Sequence, residues 1–326
     1  MSTTFHELYR APRHIDAKGR IWVQCLRDMD FATARVGWAV GSGQLLGTRD
    51  GGRTWVDQRN AYMANTFFDP RRVCAVNQAH CWVITGGMDK IRCFHTKDGG
   101  RTWLNVDFGP SIYPQDVFFI NQRRGWMVSD DGKVLGGGGT IHLTDNGGET
   151  WHSEQLTGPG KPDVIRFVNS RQGWLVESVI TKDQAKTIGR VHRSDDSGKN
   201  WELAATFERQ ILDIAVLDGE RIFIAGEGGL IEKTVDGGKS WQRLKTRTRA
   251  NINSIAFYGN STGIAGADFG TLLMADGNGT VWNKLKHSPD GSNCVGACVA
   301  SPSQAIIAFD NSIHSLTLSS KNSAAT

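Results

Sequence analysis

Short apolar runs bounded by glycine turns follow one another along almost the whole chain, which is the pattern of β-strands rather than helices. Runs such as Val117–Ile120, Val164–Val168, Ile211–Val216 and Ile252–Phe257 are each followed by a second apolar stretch: Gly125-Trp126, Gly173-Trp174, Arg221-Ile222-Phe223 and Gly263-Ile264. Earlier in the chain the same second stretch begins at Gly37-Trp38 and at Cys81-Trp82. The first run of each pair is expected to line a central channel, and the second to lie beside it.

A turn signature closes each unit. Thr48-Arg49-Asp50-Gly51-Gly52-Arg53-Thr54-Trp55 is repeated at Thr96–Trp103 and, with small changes, at Thr144–Trp151, Ser194–Trp201 and Thr234–Trp241. A sixth copy, Asp276–Trp282, carries one extra residue. Tryptophans at 55, 103, 151, 201, 241 and 282 are therefore 48, 48, 50, 40 and 41 residues apart, the period of a four-stranded propeller blade. In such an Asp box the Asp or Asn side chain bonds to nearby backbone N–H groups, glycines accept positive φ, and Thr or Ser hydroxyls add local hydrogen bonds. Asp50, Asp98, Asn146, Asp196, Asp236 and Asp276, with Trp55, Trp103, Trp151, Trp201, Trp241 and Trp282, are accordingly read as structural.

Six boxes account for six blades over residues 21–286 and leave three strands, Cys294–Ala300, Ala305–Phe309 and Ser312–Leu318, within residues 293–318. A three-stranded blade has an unpaired edge. The N-terminal segment (1–20), through Phe5–Arg10, is predicted to supply the missing strand, and 319–326 is expected to be a flexible tail. The sequence thus predicts one all-β domain, a seven-bladed β-propeller of four-stranded antiparallel blades closed by its N-terminal strand.

Composition sharpens this picture. The 326 residues include 39 glycines, 11 tryptophans and only 8 prolines, which suits turn-rich repetition. The net charge of +4 comes with basic residues scattered along the chain, so nucleic acid is not the expected partner. No stretch is long and apolar enough for a membrane span. The polar N-terminus lacks a secretory core, so a cytoplasmic location is expected. Six cysteines form no metal-ligand doublet and are expected to be buried free thiols, a Cys74–Cys81 disulfide being the alternative.

The Gly-Trp-x-Val strand paired with a Thr-x-Asp-Gly-Gly-x-Thr-Trp box resembles the photosystem II stability/assembly factor family, a branch of the bacterial-neuraminidase-repeat propellers with a sialidase-like fold. The resemblance runs from Val36 to about Trp282. It implies a seven-bladed propeller acting as an assembly factor, with a basic surface patch for protein binding; no patch arginine is carried over. It also implies translocation to the lumenal side for members acting on photosystems, whereas this sequence shows no targeting segment.

Function divides between a non-catalytic binding propeller, the leading expectation, and an enzyme with its site at the channel mouth, glycan-active or biosynthetic; a lectin is the third. Sialidase chemistry lacks the Phe/Tyr-Arg-Ile-Pro motif. Asp69, Asp116 and Asp163 stand at the starts of inner strands as candidate carboxylates or turn caps. His95, His142, His192 and His314 fall in third strands too far apart for a shared ion, and neither metal nor cofactor is expected. Gly136–Gly139 reads as a strand connection. Inter-blade loops vary while the blades repeat, and variable loops on a rigid frame carry binding. Tyr62, Arg71, Arg72, Arg209, Arg247 and Arg249 on these loops are the candidate binding residues for a protein partner or an anionic ligand. Arg35, Arg123 and Arg171, in turns of the opposite face, are expected to cover neighbouring turns.

Overall fold

The computed structural model describes residues 3–15, 21–64, 68–86, 91–108, 113–132, 138–156, 160–181, 186–259, 262–276, 279–285 and 291–318. The tail 319–326 and most of the 133–139 glycine segment lie outside these. Seven four-stranded antiparallel sheets form the blades. Their innermost strands are Leu26–Phe31, Pro70–Ala75, Tyr113–Phe119, Lys161–Phe167, Ile211–Val216, Ile252–Tyr258 and Cys294–Ser301, and each neighbours the next around a ring, the seventh returning to the first. Ile21–Val23 pairs instead with Arg13–Ile15 in a separate hairpin, so the first blade begins at Leu26 and not at residue 21.

The ring closes as the leftover strands predicted. Thr3–Arg10 pairs with Ser312–Leu318 from Thr3↔Leu318 to Arg10↔Ser312, with an irregularity between Glu7 and Tyr9. Phe5 packs into the apolar layer between blades six and seven, and Leu8 and Tyr9 into the layer between blades seven and one. The Tyr9 hydroxyl donates to Gln44 Oε1 at 2.6 Å, which ties the closing strand to the first blade as well as to the last.

The apolar core lies between blades rather than within them: each of the seven buried clusters mixes residues of two adjacent sheets. Second-strand tryptophans 38, 82, 126 and 174 are fully buried there. Trp82 stacks on Phe119 of the next blade with centroids 3.7 Å apart, and Trp126 stacks on Phe167 at 3.6 Å. Those phenylalanines meet the box tryptophans of their own blades, Trp151 and Trp201, edge-on.

Inside each box the hydrogen bonds are local. Asp50 Oδ1 accepts from Thr54 N and Thr48 Oγ1 at 2.9 Å, its Oδ2 accepts from Thr54 Oγ1 at 2.7 Å, and Thr48 Oγ1 accepts from Gly52 N at 2.9 Å. The set recurs around Asp98, Asp196 and Asp236; at Asn146 Oδ1 accepts likewise, but Nδ2 donates to Thr150 Oγ1 at 2.9 Å. In the sixth copy, Asp276 Oδ1 accepts from Thr280 N at 2.6 Å. The Thr102 hydroxyl, with other local donors, holds the Asp98 carboxyl down at about 2. These carboxylates are occupied by their own turns. Among the described box residues positive φ falls on glycines except at Ser197, φ 77°, which stands where the Asp50, Asp98, Asn146 and Asp236 copies carry a glycine.

The first-to-second-strand turn supports the box of its own blade. Its carbonyls at Arg35, Ala79, Arg123, Arg171 and Glu220 accept from box N–H groups at 2.7–3.1 Å, and Arg123 Nε and Arg171 Nε donate to Asp145 O and Asp195 O. All six cysteines are free, but Cys25 is exposed and Cys298 half-buried, so burial is not uniform.

Removing residues 1–12 deletes the closing strand and reopens the last blade's edge. The melting temperature is expected to fall by roughly 10 °C or more, a loss of several kcal/mol for a chain of this size; an unchanged melting curve would refute closure as a source of stability. Trp103 is only 7% exposed, whereas Trp55, Trp151, Trp201 and Trp241 are half-buried. Trp103→Ala should cost about 3–5 kcal/mol in denaturant unfolding, and a loss under about 1 kcal/mol would show that the ring is not part of the core.

Candidate functional site

Two places can carry function: the central channel and the face where inner strands begin. Every inner strand has an irregularity near its start, between Leu26 and Asp28, Pro70 and Arg72, Pro114 and Asp116, Pro162 and Val164, Ile211 and Asp213, Ile252 and Ser254, and Cys294 and Gly296. A bulge re-aims the residue after it. Those residues line a channel of about 590 Å³ together with Asp30, Arg166 and Asn253.

Most of the channel's polar groups are engaged in joining blades. Asp28 Oδ1 accepts from Met29 N and its Oδ2 from Val73 N of the next blade, both at 2.9 Å. Asp30 does the same with Phe31 N and Ala75 N at 2.8 Å, and Asp213 with Ile214 N at 2.8 Å and Ile255 N at 2.9 Å. Ser254 Oγ accepts from Ala297 N at 3.1 Å. Asp116 Oδ2 accepts from Ile165 N at 3.0 Å and from Arg166 Nη1, and Arg166 Nη2 is 3.9 Å from Asp213. Desolvation pushes the Asp28 carboxyl up to about 6 and raises those of Asp30 and Asp213. Asp69 pairs with Arg27 at 2.5 Å. The expected carboxylate candidates therefore separate into a rim ion pair at Asp69, an inter-blade acceptor at Asp116, and Asp163, which lies 3.5 Å from Lys161.

The third-strand histidines are packed into the blades. His95 stacks on Trp82 with centroids 4.2 Å apart and lies 3.1 Å from His80 Nδ1, and burial pushes it down to about 3. Burial pushes His142, between Ser129 and Ser153, down to about 4. Among the described residues no group of three or more His, Cys, Asp or Glu is arranged to hold a metal ion.

The six candidate binding residues occupy different situations on the strand-start face. Arg72 turns into the channel, with Nε 3.9 Å from Asp116. Arg209 Nη1 donates to Gly228 O at 2.9 Å and Glu227 O at 3.3 Å. Tyr62, in the short helix Ala61–Ala64, is 42% exposed and lies beneath the Arg92 guanidinium, 5.3 Å away. Arg71, Arg247 and Arg249 are exposed. Arg71 and Arg72 lie in the inner strand of blade two, not in the loop before it, and Arg209, Arg247 and Arg249 lie in the loops before blades five and six, so the ring does not gather all six into one contiguous patch. Sequence reading missed Asp28, Asp30, Asp213 and Arg166. The recurring apolar-x-Asp at Leu26–Asp28, Pro114–Asp116 and Ile211–Asp213 was the available signal for the channel aspartates.

For an Asp, a folded-state pKa above the unfolded one means stability gained as pH falls through the folded value and lost as pH rises through it. On this account the native protein should gain about 1 kcal/mol relative to Asp28→Asn between pH 8 and pH 5. The buried His95 and His142 act oppositely below about 6.5 and cancel in the paired comparison. Urea unfolding of both proteins across this range measures it, and a pH-independent difference would contradict the burial of that charge.

Comparison with known proteins gives this geometry a lineage. The chloroplastic photosystem II stability/assembly factor HCF136 of Cyanidioschyzon merolae is 41% identical over 66 residues, 19% of this chain and 15% of that protein. Its counterpart in Oryza sativa subsp. japonica is 30% identical over 95 residues, 28% of this chain and 23% of that protein. The alignments thus span under a quarter of either relative. Both are chloroplastic, which lends no support to the cytoplasmic location expected from the N-terminus; no helix among the described residues is long and apolar enough to cross a membrane. Among solved structures, YCF48 bound to D1 peptide has a TM-score of 0.72 at 18% identity, covering 98% of this chain and 97% of that one. YCF48 from Cyanidioschyzon merolae gives 0.71 at 19%, covering 96% and 98%. The WD40 propeller of Doa1 gives 0.64 at 10%, covering 97% of each. At these identities the likeness concerns the fold. The model of the family described as photosynthesis system II assembly factor YCF48 matches residues 21–154 and 196–293, more than half of the sequence, and the chain belongs to that family.

Proposed function

We propose that this propeller is a non-catalytic, protein-binding assembly factor that presents the strand-start face to an acidic segment of a photosystem II protein. The observation that carries the reading is the state of three arginines. Arg71, Arg247 and Arg249 are exposed on that face, and none of their side chains has an ion pair or side-chain hydrogen bond among the described residues. The box aspartates are committed to their own turns and the channel aspartates to neighbouring blades. An arginine fork matches a carboxylate through paired hydrogen bonds.

Lys245 adds charge beside Arg247, and Thr246 Oγ1 fastens that loop to Gly229 O at 2.8 Å. The arginines are thus carried on an anchored segment, which lowers the ordering cost of binding. The similarity to YCF48 bound to D1 peptide suggests a D1 segment as the first probe. Tyr62 and Arg209 are assigned to the edges of the same surface and Arg72 to the channel mouth, where their own protein contacts limit how far each can turn to a partner.

Binding of a labelled synthetic D1 peptide, followed by anisotropy at low and high salt, tests the assignment. The double substitution Arg71→Glu with Arg247→Glu should weaken binding at least about tenfold, or 1.4 kcal/mol, and flatten its salt dependence while melting stays unchanged. If affinity is retained, or if only changes at Arg35, Arg123 and Arg171 reduce it, the working face has been misassigned.

A further inference from the structure

The second and third strands of blade six are joined by the turn Asp268–Gly270, whose central residue Phe269 has φ 56° and ψ 36°. This left-handed conformation is sterically unfavourable for a side-chain-bearing residue and is normally filled by glycine. The equivalent turn of blade five, Glu227–Gly229, has nearly the same geometry at Gly228, φ 59° and ψ 34°. There the backbone favours glycine, and the Arg209 guanidinium lies across it where a Cβ would stand. Blade six keeps the backbone and replaces the glycine with an aromatic residue.

Packing does not repay that strain. Phe269 is 71% exposed, the highest value among the exposed large apolar residues described. A phenylalanine left in water forgoes the free energy of burying its ring, so neither backbone nor core accounts for this residue. Strained residues persist where the surroundings over-determine them, and they cluster at ligand clamps.

The mount is rigid. Phe269 N donates to Asn293 Oδ1 at 3.0 Å, Asp268 N to Asn251 O at 2.9 Å, and Gly270 N to Ser292 O at 2.8 Å. Asp268 Oδ1 also accepts from Asn253 Nδ2 at 2.8 Å. Asn253 and Asn293 line the channel, so the turn stands at its mouth. On the other side, Asn251 is two residues from Arg249 and four from Arg247, and Arg209 lies across the neighbouring turn.

We infer that Phe269 is an apolar anchor for a bound peptide, and that the segment it receives carries an aliphatic or aromatic side chain next to carboxylates. The apolar side chain covers the exposed ring, and the carboxylates reach the arginines of the adjoining loop. Aromatic and arginine anchors set side by side dominate binding energy at interfaces. A ring held in place by a pinned backbone loses little freedom when covered. The inference rests on the strand-start face being the binding face and specifies what that face selects.

Two short synthetic acidic peptides, identical except for phenylalanine or glycine at the centre, serve as probes. The native protein should bind the phenylalanine peptide at least about fivefold more tightly. Phe269→Gly should abolish that preference, retain the salt-sensitive remainder of the binding, and raise the melting temperature by about 1–3 °C through relief of the left-handed strain. Phe269→Leu should keep most of the preference without the gain in melting temperature. A fall in melting temperature for Phe269→Gly would make the ring part of the fold and overturn the proposal. Equal binding of both peptides by the native protein would overturn it too, while Arg247→Glu still weakening both would leave the face assignment standing. If neither substitution alters binding, face and anchor fall together.

Discussion

The structure depends on one recurring contact, the carbonyl of the next blade's box turn and the donor that reaches it. Trp82 Nε1 donates to Gly147 O and Trp126 Nε1 to Ser197 O, both at 2.9 Å. Where the tryptophan does not supply the bond, another side chain does: Arg49 and Gln58 donate to Gly99 O at 2.9 and 3.3 Å, and Arg193 to Gly237 O at 3.2 Å. A buried carbonyl left without a partner costs about 1–3 kcal/mol, so a donor is selected at each of these joints even as its identity changes. The box turn and the Gly-Trp strand recur together because each serves the adjacent blade's copy of the other. Four strands cannot form a stable unit alone, and the repeat is legible because its parts are mutually required.

The contact changes character around the ring. Blades one to four present tryptophan to the next blade, blade five presents Phe223, tilted against Phe257 with centroids 4.5 Å apart, and blade six presents Ile264. Blade seven cannot repeat the pattern in sequence because it has no box, and its fourth strand comes from the other end of the chain. Tyr9 there reaches Gln44 of blade one, and Gln44 Nε2 in turn holds Gln24 O at 3.0 Å. Closure thus uses polar side chains specific to one joint in place of the repeated aromatic wedge. A ring whose other joints are pre-shaped leaves the last joint little freedom of register.

The parts that repeat are those that the sequence displayed. Box positions, second-strand tryptophans and the three-strand remainder are local patterns with a fixed period, and these led to seven blades and to the closing strand. The channel was not displayed in that way. Whether Asp28 or Arg27 faces the centre depends on a bulge that shifts register by one residue and reverses side-chain direction, and no composition signal marks the bulge. The rim suffered likewise: Arg71 and Arg72 are adjacent in sequence, yet one is exposed and the other enters the channel beside Asp116. Phe269 drew no notice because its oddity is a backbone angle. An Asp-Phe-Gly turn looks ordinary until φ is known.

The division of labour between the two faces follows from these constraints. The box face must satisfy each turn internally and each neighbour's tryptophan, so its polar groups have little freedom to diverge. Loops at the strand-start face carry fewer obligations. They need only hold the first residue of the next inner strand, as Asn251 and Asn293 do by accepting N–H groups of the adjacent turns, Gly228 N at 3.0 Å and Phe269 N at 3.0 Å. The same asparagine contact therefore supports a glycine in one blade and a strained, exposed phenylalanine in the next. A scaffold that fixes the backbone of a turn so firmly can accept an unfavourable side chain on it without losing the fold. That tolerance is what allows a rigid repeat to present a local, non-repeating surface.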